Sequence, residues 1–340
     1  MSFKEAATEL VREALDGRMR FIVLRGLDGF SHDDGDIDVI VPQSLAIRAL
    51  SLVGEKASEN GWAIAGIGDI GYLSQICLVK RWGDDARHRA VKVDFFNGAS
   101  WAALGTDPLG RALFDGLEEN DEREATGVAT LLQKMLYAGY LRDRDRERIA
   151  ATCAYDQIAA FAGETGLPLT RADLEHGRLS RMARWRLRAA SAGASPVGLP
   201  VWIAKVIWRK LHFAVVRSTF PGAILMVSGA DGDRWPELAG RFQSLLERSG
   251  FPKPTIASRT NVNGPAVTSW LLTAWRALRG ETVLVNHSRT SSAARIMRRC
   301  STALQITLPD RRLDAGDDLN ALLDCVSQQA LNTLRRKRTS

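Results

Sequence analysis

The sequence contains few cysteines, and they are far apart. The motifs that hold zinc or catalyse thiol redox chemistry place pairs of cysteines only about two to four residues apart. No such pair occurs, so we expect neither a zinc site nor a disulfide framework. We interpret the four cysteines as free thiols of a protein in a reducing cytoplasm: Cys77, Cys153, Cys300 and Cys325.

The sequence also lacks an uninterrupted apolar run long enough to cross a membrane. Residues 61–79 come nearest, but Asp69 interrupts them, and the glycines on either side of it indicate a turn between two strands. Residues 189–204 carry no charge but are broken by Gly, Ser and Pro. The amphipathic start, residues 1–15, contains three glutamates, which is not typical of a signal or transit peptide. We predict no membrane-spanning segment and a cytoplasmic location.

Acidic residues are scarce in the middle of the chain. The protein carries a net charge of +7, yet residues 1–100 hold 12 Lys/Arg against 15 Asp/Glu. Residues 171–220 hold 10 Lys/Arg and only two acids. Within them "RMARWRLR", residues 181–188, interleaves arginines with Trp185, which suits an anionic surface such as nucleic acid or lipid. A solvated face, or one docked on the acidic first part of the chain, explains the pattern equally simply, and we do not favour nucleic acid as a partner.

The order of periodic segments predicts an α/β protein with more than one domain. A chain of 340 residues exceeds one ordinary core. Alternating strand and helix patterns run through residues 1–164, a basic and Pro/Gly-interrupted helical connector covers 165–220, and a second α/β pattern fills 221–340. Strands that alternate with helices favour a mostly parallel sheet. The oligomeric state is not indicated.

Two aspartates stand at the start of the strand "DIDVIV", residues 36–41, where strand formers are expected. Side chains two residues apart on a strand share a face, so Asp36 and Asp38 project together. Asp94 is the lone acid in the apolar strand "AVKVDFFN" and provides the third carboxylate that a two-ion Mg²⁺ site usually needs. The alternative is a turn, because the preceding "SHDDGD" is rich in turn formers. We interpret His32, Asp33 and Asp34 as loop residues.

These elements resemble the nucleotidyltransferase fold of the polymerase-β-like superfamily. The matching stretches are "VLRG" ending at Gly26, "DIDVIV" and "VKVDFF". The resemblance implies that Asp36 and Asp38 bind Mg²⁺, that Asp94 helps to deprotonate the acceptor hydroxyl, and that the turn at Gly26 contacts a nucleoside triphosphate. Leu27 stands where the family usually has Ser or Gly. Lys134, inside the helical pattern "ATLLQKMLYAGY", either reaches a phosphate or extends from the edge of the core.

A second motif, "ILMVSGADGDRWPELAGRF" from residue 224 to 242, resembles the phosphate loop of thymidylate-kinase-like proteins. Gly229, Asp231 and Gly232 match that pattern, as do Leu238 and Ala239. Three positions that carry the chemistry do not match: Arg234, Trp235 and Pro236 replace the last glycine, the phosphate-binding lysine and the Mg²⁺-binding hydroxyl. An indole and a proline supply neither function. A later strand has Asn286 and His287 where that family has an Asp-Arg pair. We predict a kinase fold without kinase activity, with an unrelated α/β domain as the alternative.

Together the two parts resemble a bacterial family in which a nucleotidyltransferase-like domain precedes a thymidylate-kinase-like domain, typically encoded among capsule or exopolysaccharide genes. This implies an α/β protein with a nucleotidyltransferase-like mixed sheet and a P-loop-kinase-like parallel sheet. The leading hypothesis is Mg²⁺-dependent transfer of a nucleotide from an NTP to a hydroxyl or phosphate acceptor, such as a sugar or polysaccharide precursor. The alternatives are a non-catalytic nucleotide sensor or scaffold and, third, an active nucleotide kinase.

Overall fold

A computed structural model defines the fold for most of the chain. The residues it describes are 1–24, 36–82, 87–99, 104–116, 132, 134–141, 143, 146–147, 155–216, 218–220, 222, 224–228, 234–252, 255–257, 273–286, 303–307 and 315–339.

Strands and helices alternate along these residues. The strands are β1 (Ile22–Val23), β2 (Ile37–Val41), β3 (Ala63–Asp69), β4 (Leu73–Trp82), β5 (Arg87–Asn97), β6 (Ile224–Ser228), β7 (Thr255–Ala257), β8 (Val283–Asn286) and β9 (Ala303–Thr307). The helices are α1 (Phe3–Leu15), α2 (Ala46–Glu59), α3 (Pro108–Gly116), α4 (Tyr155–Glu164), α5 (Arg171–His176), α6 (Arg181–Ser191), α7 (Leu199–Val215), α8 (Arg234–Arg248) and α9 (Ala315–Thr339). Residues 134–137 and 273–278 are also helical.

The first five strands form one mixed sheet in the order β1-β2-β5-β4-β3. β3 and β4 are an antiparallel hairpin, as the sequence predicted, and β2 runs parallel to β5. Every side chain of β2 is buried, so the strand is covered on both faces. This central position explains why β2 is almost entirely apolar, and it makes its one internal aspartate, Asp38, conspicuous.

One face of this sheet is covered by α1 and α2. A capping box at Ser2 and Glu5 begins α1, and its apolar residues recur at helical spacing toward the sheet. The helix α2 begins only at Ala46, after Pro42 to Ser44. Ser44 has a positive φ of 72°, which no residue of an α-helix adopts.

Two separate apolar clusters cover the other face of the sheet. Near the carboxyl ends of β2 and β5, Ile40 and Phe96 pack with α3, α5 and the helical residues 134–137. Toward the opposite end of β4, Cys77 and Val79 pack with Phe242 of α8 and with leucines of α9. Polar side chains lie on this face between the two apolar clusters, and they form the site described below.

The remaining strands form a small parallel sheet in the order β7-β8-β6-β9. Each strand pairs in parallel with its neighbour, as expected for strands joined by helical crossovers. The protein is therefore mixed α/β, with a mixed five-stranded sheet and a smaller parallel sheet.

The long helix α9 returns from the parallel sheet to the first sheet. Leu331 and Leu334 pack in the same core as α1 and α2, and the Ser327 hydroxyl accepts a hydrogen bond from the Ile64 amide, 3.1 Å away. The predicted boundaries at residues 164 and 220 stay a prediction, but the apolar core runs across the second of them.

Residues 165–220, predicted to be a basic helical connector, contain the helices α5, α6 and α7. Two arginines of this connector are committed to the fold. Arg188 donates to the carbonyl oxygens of Leu136 and Tyr137, both at 2.7 Å, and Arg184 donates to that of Ala138. These guanidinium groups therefore stabilise the end of a neighbouring helical segment. Within the described residues, no helix has both the length and the apolar character needed to cross a bilayer.

Candidate functional site

The carboxylates of Asp36, Asp38 and Asp94 converge on the five-stranded sheet. Because β2 and β5 are parallel neighbours, Asp38 lies directly opposite Asp94, and Asp36 precedes the strand on the same face. One oxygen from each carboxylate lies within 4.8 Å of the other two. Asp38 and Asp94 are only 5% and 4% exposed, whereas the Asp36 side chain is 31% exposed. The cluster therefore opens to solvent on the Asp36 side.

A lysine lies among the three acids. The Lys92 ammonium is 2.9 Å from Oδ2 of Asp94 and 3.4 Å from Oδ2 of Asp36. Lys92 and Asp94 are two residues apart on β5 and therefore share a face, but Lys92 was not among the predicted site residues. The period-two spacing of Lys92 and Asp94 was the available signal. The position of Asp36 relative to Lys92 depends on strand pairing that periodicity does not reveal.

Gln75 is a second site residue that was not predicted from the sequence. It lies opposite Asp94 in the antiparallel pairing of β4 with β5, and its Nε2 donates to Oδ1 of Asp94 at 3.0 Å. Nothing in the strand pattern of β4 distinguishes this glutamine, because its importance follows from register alone. Gln75 and Lys92 engage the two oxygens of Asp94 and so fix the orientation of its carboxylate.

Burial opposes ionisation throughout this cluster. It raises the pKa of the Asp94 carboxyl and outweighs the lowering by the Lys92 ammonium and the Gln75 hydrogen bond. Burial alone would lower the pKa of Lys92, but the carboxylates of Asp94 and Asp36 more than compensate, so that pKa is raised. Lys92 is therefore cationic at neutral pH, and one positive charge lies among three carboxyl groups.

The donor set suits a hard divalent cation. Carboxylate oxygens are the protein ligands that Mg²⁺ prefers, with bonds of about 2.1 Å, so ligands on opposite sides of the ion lie about 4.2 Å apart. The oxygens of the cluster, within 4.8 Å of one another, need only a small closing movement to meet that requirement. Lys92 competes for the same oxygens, since an ammonium and a metal ion cannot both occupy the space between Asp36 and Asp94.

Aromatic rings border the acids at the carboxyl end of β5. Phe96 shares the face of Asp94, and its ring centroid lies 5.3 Å from that of Tyr137. The Tyr137 ring is 5.8 Å from Tyr72, whose phenol interacts electrostatically with Asp94. Burial raises the pKa of Tyr72, so the phenol stays protonated at neutral pH. One side of the site is therefore an apolar wall with a phenolic hydroxyl.

Of the other predicted site residues, the structure describes Lys134 but not Gly26 or Leu27. Gly26 and Leu27, which were predicted to contact the triphosphate, lie outside the described residues, as do His32, Asp33 and Asp34. Lys134 is helical and half-buried, next to the buried Met135 and Leu136. Its predicted contact with a phosphate stays a prediction.

The phosphate-loop-like segment presents a different arrangement. Arg234 begins α8 and makes two hydrogen bonds to Asp318 of α9, at 2.7 and 2.6 Å. Trp235 is 6% exposed and packs in the core between the two sheets, while Pro236 is exposed in the first turn. Gly229, Asp231, Gly232 and His287 lie outside the described residues, and Asn286 is the last residue of β8. The side chains of Arg234 and Trp235 are thus used for packing and ion pairing.

Comparisons with known proteins do not assign the chain to a family. No protein-family model, no curated protein and no solved structure matches it with significance.

Proposed function

We propose that the protein is a Mg²⁺-dependent nucleotidyltransferase that acts on a hydroxyl or phosphate acceptor. The observation that carries the proposal is the pairing of Asp38 with Asp94 on adjacent parallel strands, with Asp36 beside them. A mixed sheet that presents three carboxylates at one point is compatible with the nucleotidyltransferase-like fold that the motifs resemble. The resemblance to proteins linked to capsule or exopolysaccharide biosynthesis suggests a sugar or polysaccharide precursor as acceptor.

Each acidic side chain has a distinct role in this proposal. Asp36 and Asp38 would hold Mg²⁺, which supplies charge neutralisation for a triphosphate and activation of the acceptor oxygen. Asp94 would accept the proton of the acceptor hydroxyl, because its raised pKa brings a carboxylate closer to the acceptor's proton affinity. Gln75 would keep the Asp94 carboxylate oriented.

Lys92 limits how this site can work. Its ammonium must leave the space between Asp36 and Asp94 before a cation takes these oxygens. Once displaced, an ammonium close to the acids is well placed to contact a phosphate, since lysine binds phosphate as a mobile point charge. We therefore expect Lys92 to exchange its carboxylate partners for the triphosphate.

The test is release of pyrophosphate from each NTP with Mg²⁺, measured with a panel of sugar and sugar-phosphate acceptors. Asp38→Asn and Asp94→Asn should each reduce turnover by about a hundredfold or more, because the metal site and the proton acceptor act only together. Asp115→Asn is the matched control, since this aspartate is 75% exposed and pairs with Arg20 rather than with a residue of the acid cluster. Turnover that survives Asp38→Asn would contradict the proposal.

A second candidate is a non-catalytic protein that binds a nucleotide or organises other proteins. The observation in its favour is the Lys92 ammonium, which already neutralises part of the acid cluster as in a structural ion-pair network. This candidate predicts Mg²⁺·NTP binding in calorimetry without turnover for any acceptor.

For residues 221–340 we propose a P-loop-kinase-like domain that has lost kinase activity, as the motif at residues 224–242 suggests. The Arg234–Asp318 ion pair and the buried Trp235 support this part of the proposal, because both side chains are committed to the fold. ATP-dependent phosphorylation of a nucleoside monophosphate that survives Asp38→Asn would instead favour the active kinase.

A further inference from the structure

Helix α7 has two apolar faces, and one of them lies on the surface. Trp202 and Val206 face the protein and are buried. The opposite side is a stripe of exposed apolar residues at positions 201, 204, 208, 211 and 215, which recur at alternating spacings of three and four as on an amphipathic helix, and residue 207 lies beside them. Trp208 is 71% exposed and Leu211 60% exposed. We call this stripe the α7 apolar face and define it as Val201, Ile207, Trp208, Leu211 and Val215, all of which are more than half exposed.

Further exposed apolar side chains lie close to the end of α7. The Arg279 guanidinium donates to the Ala214 carbonyl at 3.4 Å, which brings the end of helical residues 273–278 to the end of α7. Leu278 is 68% exposed and Trp275 is 49% exposed. A concentration of exposed Trp and Leu on this scale marks an interaction surface, because water-facing helices normally carry polar residues there.

The charged residues that neighbour α7 in the sequence are all basic. Residues 176–230 contain nine Lys/Arg and no Asp or Glu. At 100° per residue, Lys205 and Lys210 lie at opposite borders of the stripe, and both are exposed. Trp185 of α6 packs edge-on against Trp202 at 5.8 Å, so the exposed Arg181 and Arg186 of that helix belong to the same part of the surface.

We propose that the α7 apolar face docks on a lipid bilayer that carries anionic headgroups. Trp, Leu and Val bordered by lysines form the pattern of a helix that lies in a membrane interface, with its apolar side chains among the acyl chains and its cations at the phosphates. This proposal is independent of the acid cluster and of the proposed transferase activity.

Charge complementarity favours a bilayer over the other occupants of such a face. A second copy of the chain would bring the same lysines together across a two-fold axis, and like charges oppose that contact. Nucleic acid would satisfy the lysines and arginines, but it offers nothing to exposed valine and leucine side chains. An anionic bilayer satisfies both groups of residues.

The experiment is co-sedimentation of the full chain with phosphatidylcholine vesicles that contain or lack phosphatidylglycerol. The wild type should bind the anionic vesicles and be largely released by high salt, because screening removes the electrostatic part of the attraction. Trp208→Ser/Leu211→Ser should lower the partition coefficient by about tenfold or more, whereas the conservative Trp208→Phe/Leu211→Ile should retain binding. These positions are exposed, so circular dichroism should show unchanged folding.

A second pair of variants tests the electrostatic contribution. Lys205→Gln/Lys210→Gln should weaken binding several-fold and reduce its salt dependence. Arg335→Gln/Arg336→Gln removes the same charge from exposed positions of α9 and should bind like the wild type. Failure of the wild type to bind anionic vesicles, or full binding by Trp208→Ser/Leu211→Ser, would overturn the proposal. A wild-type dimer in light scattering that Trp208→Ser/Leu211→Ser converts to monomer would also overturn it and assign the face to a second copy.

Discussion

The acid cluster of the first sheet and the phosphate-loop-like segment of the second are two regions where the sequence suggests nucleotide chemistry. In the first, Asp36, Asp38 and Asp94 meet at a point that is partly open to solvent. In the second, Arg234 is bound to a buried aspartate and Trp235 lies in the core. Both regions resemble nucleotide-binding motifs in sequence. In the first the three carboxylates converge, whereas in the second the corresponding side chains pack in the core or form an ion pair.

The difference lies in how each fold supplies partners to its buried polar groups. A buried polar group that serves only the fold has its partners supplied by the fold, as Arg234 and Asp318 have. The acid cluster instead concentrates three carboxyl groups around one ammonium. Such an excess of negative charge is costly for a structural network and appropriate for a cation site.

The largest expected effect concerns Trp235. Trp235→Ala should lower the free energy of unfolding by about 3 to 5 kcal/mol, because a buried indole leaves a cavity in the core between the sheets. Pro236→Ala, at the next and exposed position, should change it by less than about 0.5 kcal/mol. Urea unfolding measures both. A small effect of Trp235→Ala would indicate that the indole is not a core residue and would weaken the contrast between the two regions.

The ion pair at the start of α8 should have the next largest effect. Arg234→Met removes one partner of a bidentate pair whose carboxylate is 3% exposed, and we expect a loss of about 3 kcal/mol. In a double-mutant cycle with Asp318→Asn, the two losses should be far from additive, because each variant breaks the same interaction. Additive losses in denaturant unfolding would show that the pair does not form in solution.

Lys92 provides the sharpest comparison within the acid cluster. Without metal, Lys92→Met should lower stability by about 2 to 3 kcal/mol, because the buried Asp94 loses its cation while Asp36 stays hydrated. Mn²⁺ should then raise the melting temperature of Lys92→Met more than that of the wild type, since no ammonium competes for the oxygens. Lys56→Met, which removes a more exposed lysine paired with Glu13, is the control. Equal responses to Mn²⁺ in all three proteins would favour a structural ion-pair network.

The last effect is absent at neutral pH and concerns the thiol of Cys77, which lies opposite Lys92 in the pairing of β4 with β5. Burial raises the pKa of Cys77 to about 12 from an ordinary value of 9.0. The unfolded chain therefore releases this proton from about pH 9 and the folded chain only near pH 12, so the thiol contributes a loss of stability as pH rises through that window. Urea unfolding of Cys77→Ala should show a shallower decline than the wild type between these pH values and the same slope below them. Identical slopes throughout would mean that Cys77 is accessible in the folded protein.

The local parts of the fold were predictable from sequence, because strand and helix periodicity records which face is buried. The hairpin of β3 and β4 and the shared face of Lys92, Asp94 and Phe96 are examples. The convergence of Asp36, Asp38 and Asp94 was predicted from residue spacing and motif resemblance, and the structure confirms their proximity. A bound cation and a catalytic role stay predictions.

The other features depend on contacts between distant parts of the chain. The return of α9 to the first sheet, the hydrogen bond from Gln75 to Asp94 and the Arg234–Asp318 ion pair join residues that no local pattern connects. The exposed face of α7 was also missed, because an apolar helical face is normally interpreted as buried. Only its packing reveals which of its two apolar faces the protein covers.

The most direct test of the central claim is a crystal structure with Mn²⁺, located by its anomalous scattering. We expect a peak within bonding distance of the Asp36 and Asp38 carboxylates, with the Lys92 ammonium displaced from Asp94. Absence of a peak at saturating Mn²⁺, with Lys92 still bound to Asp36 and Asp94, would show that the three acids form a structural ion-pair network and would contradict the proposed metal site.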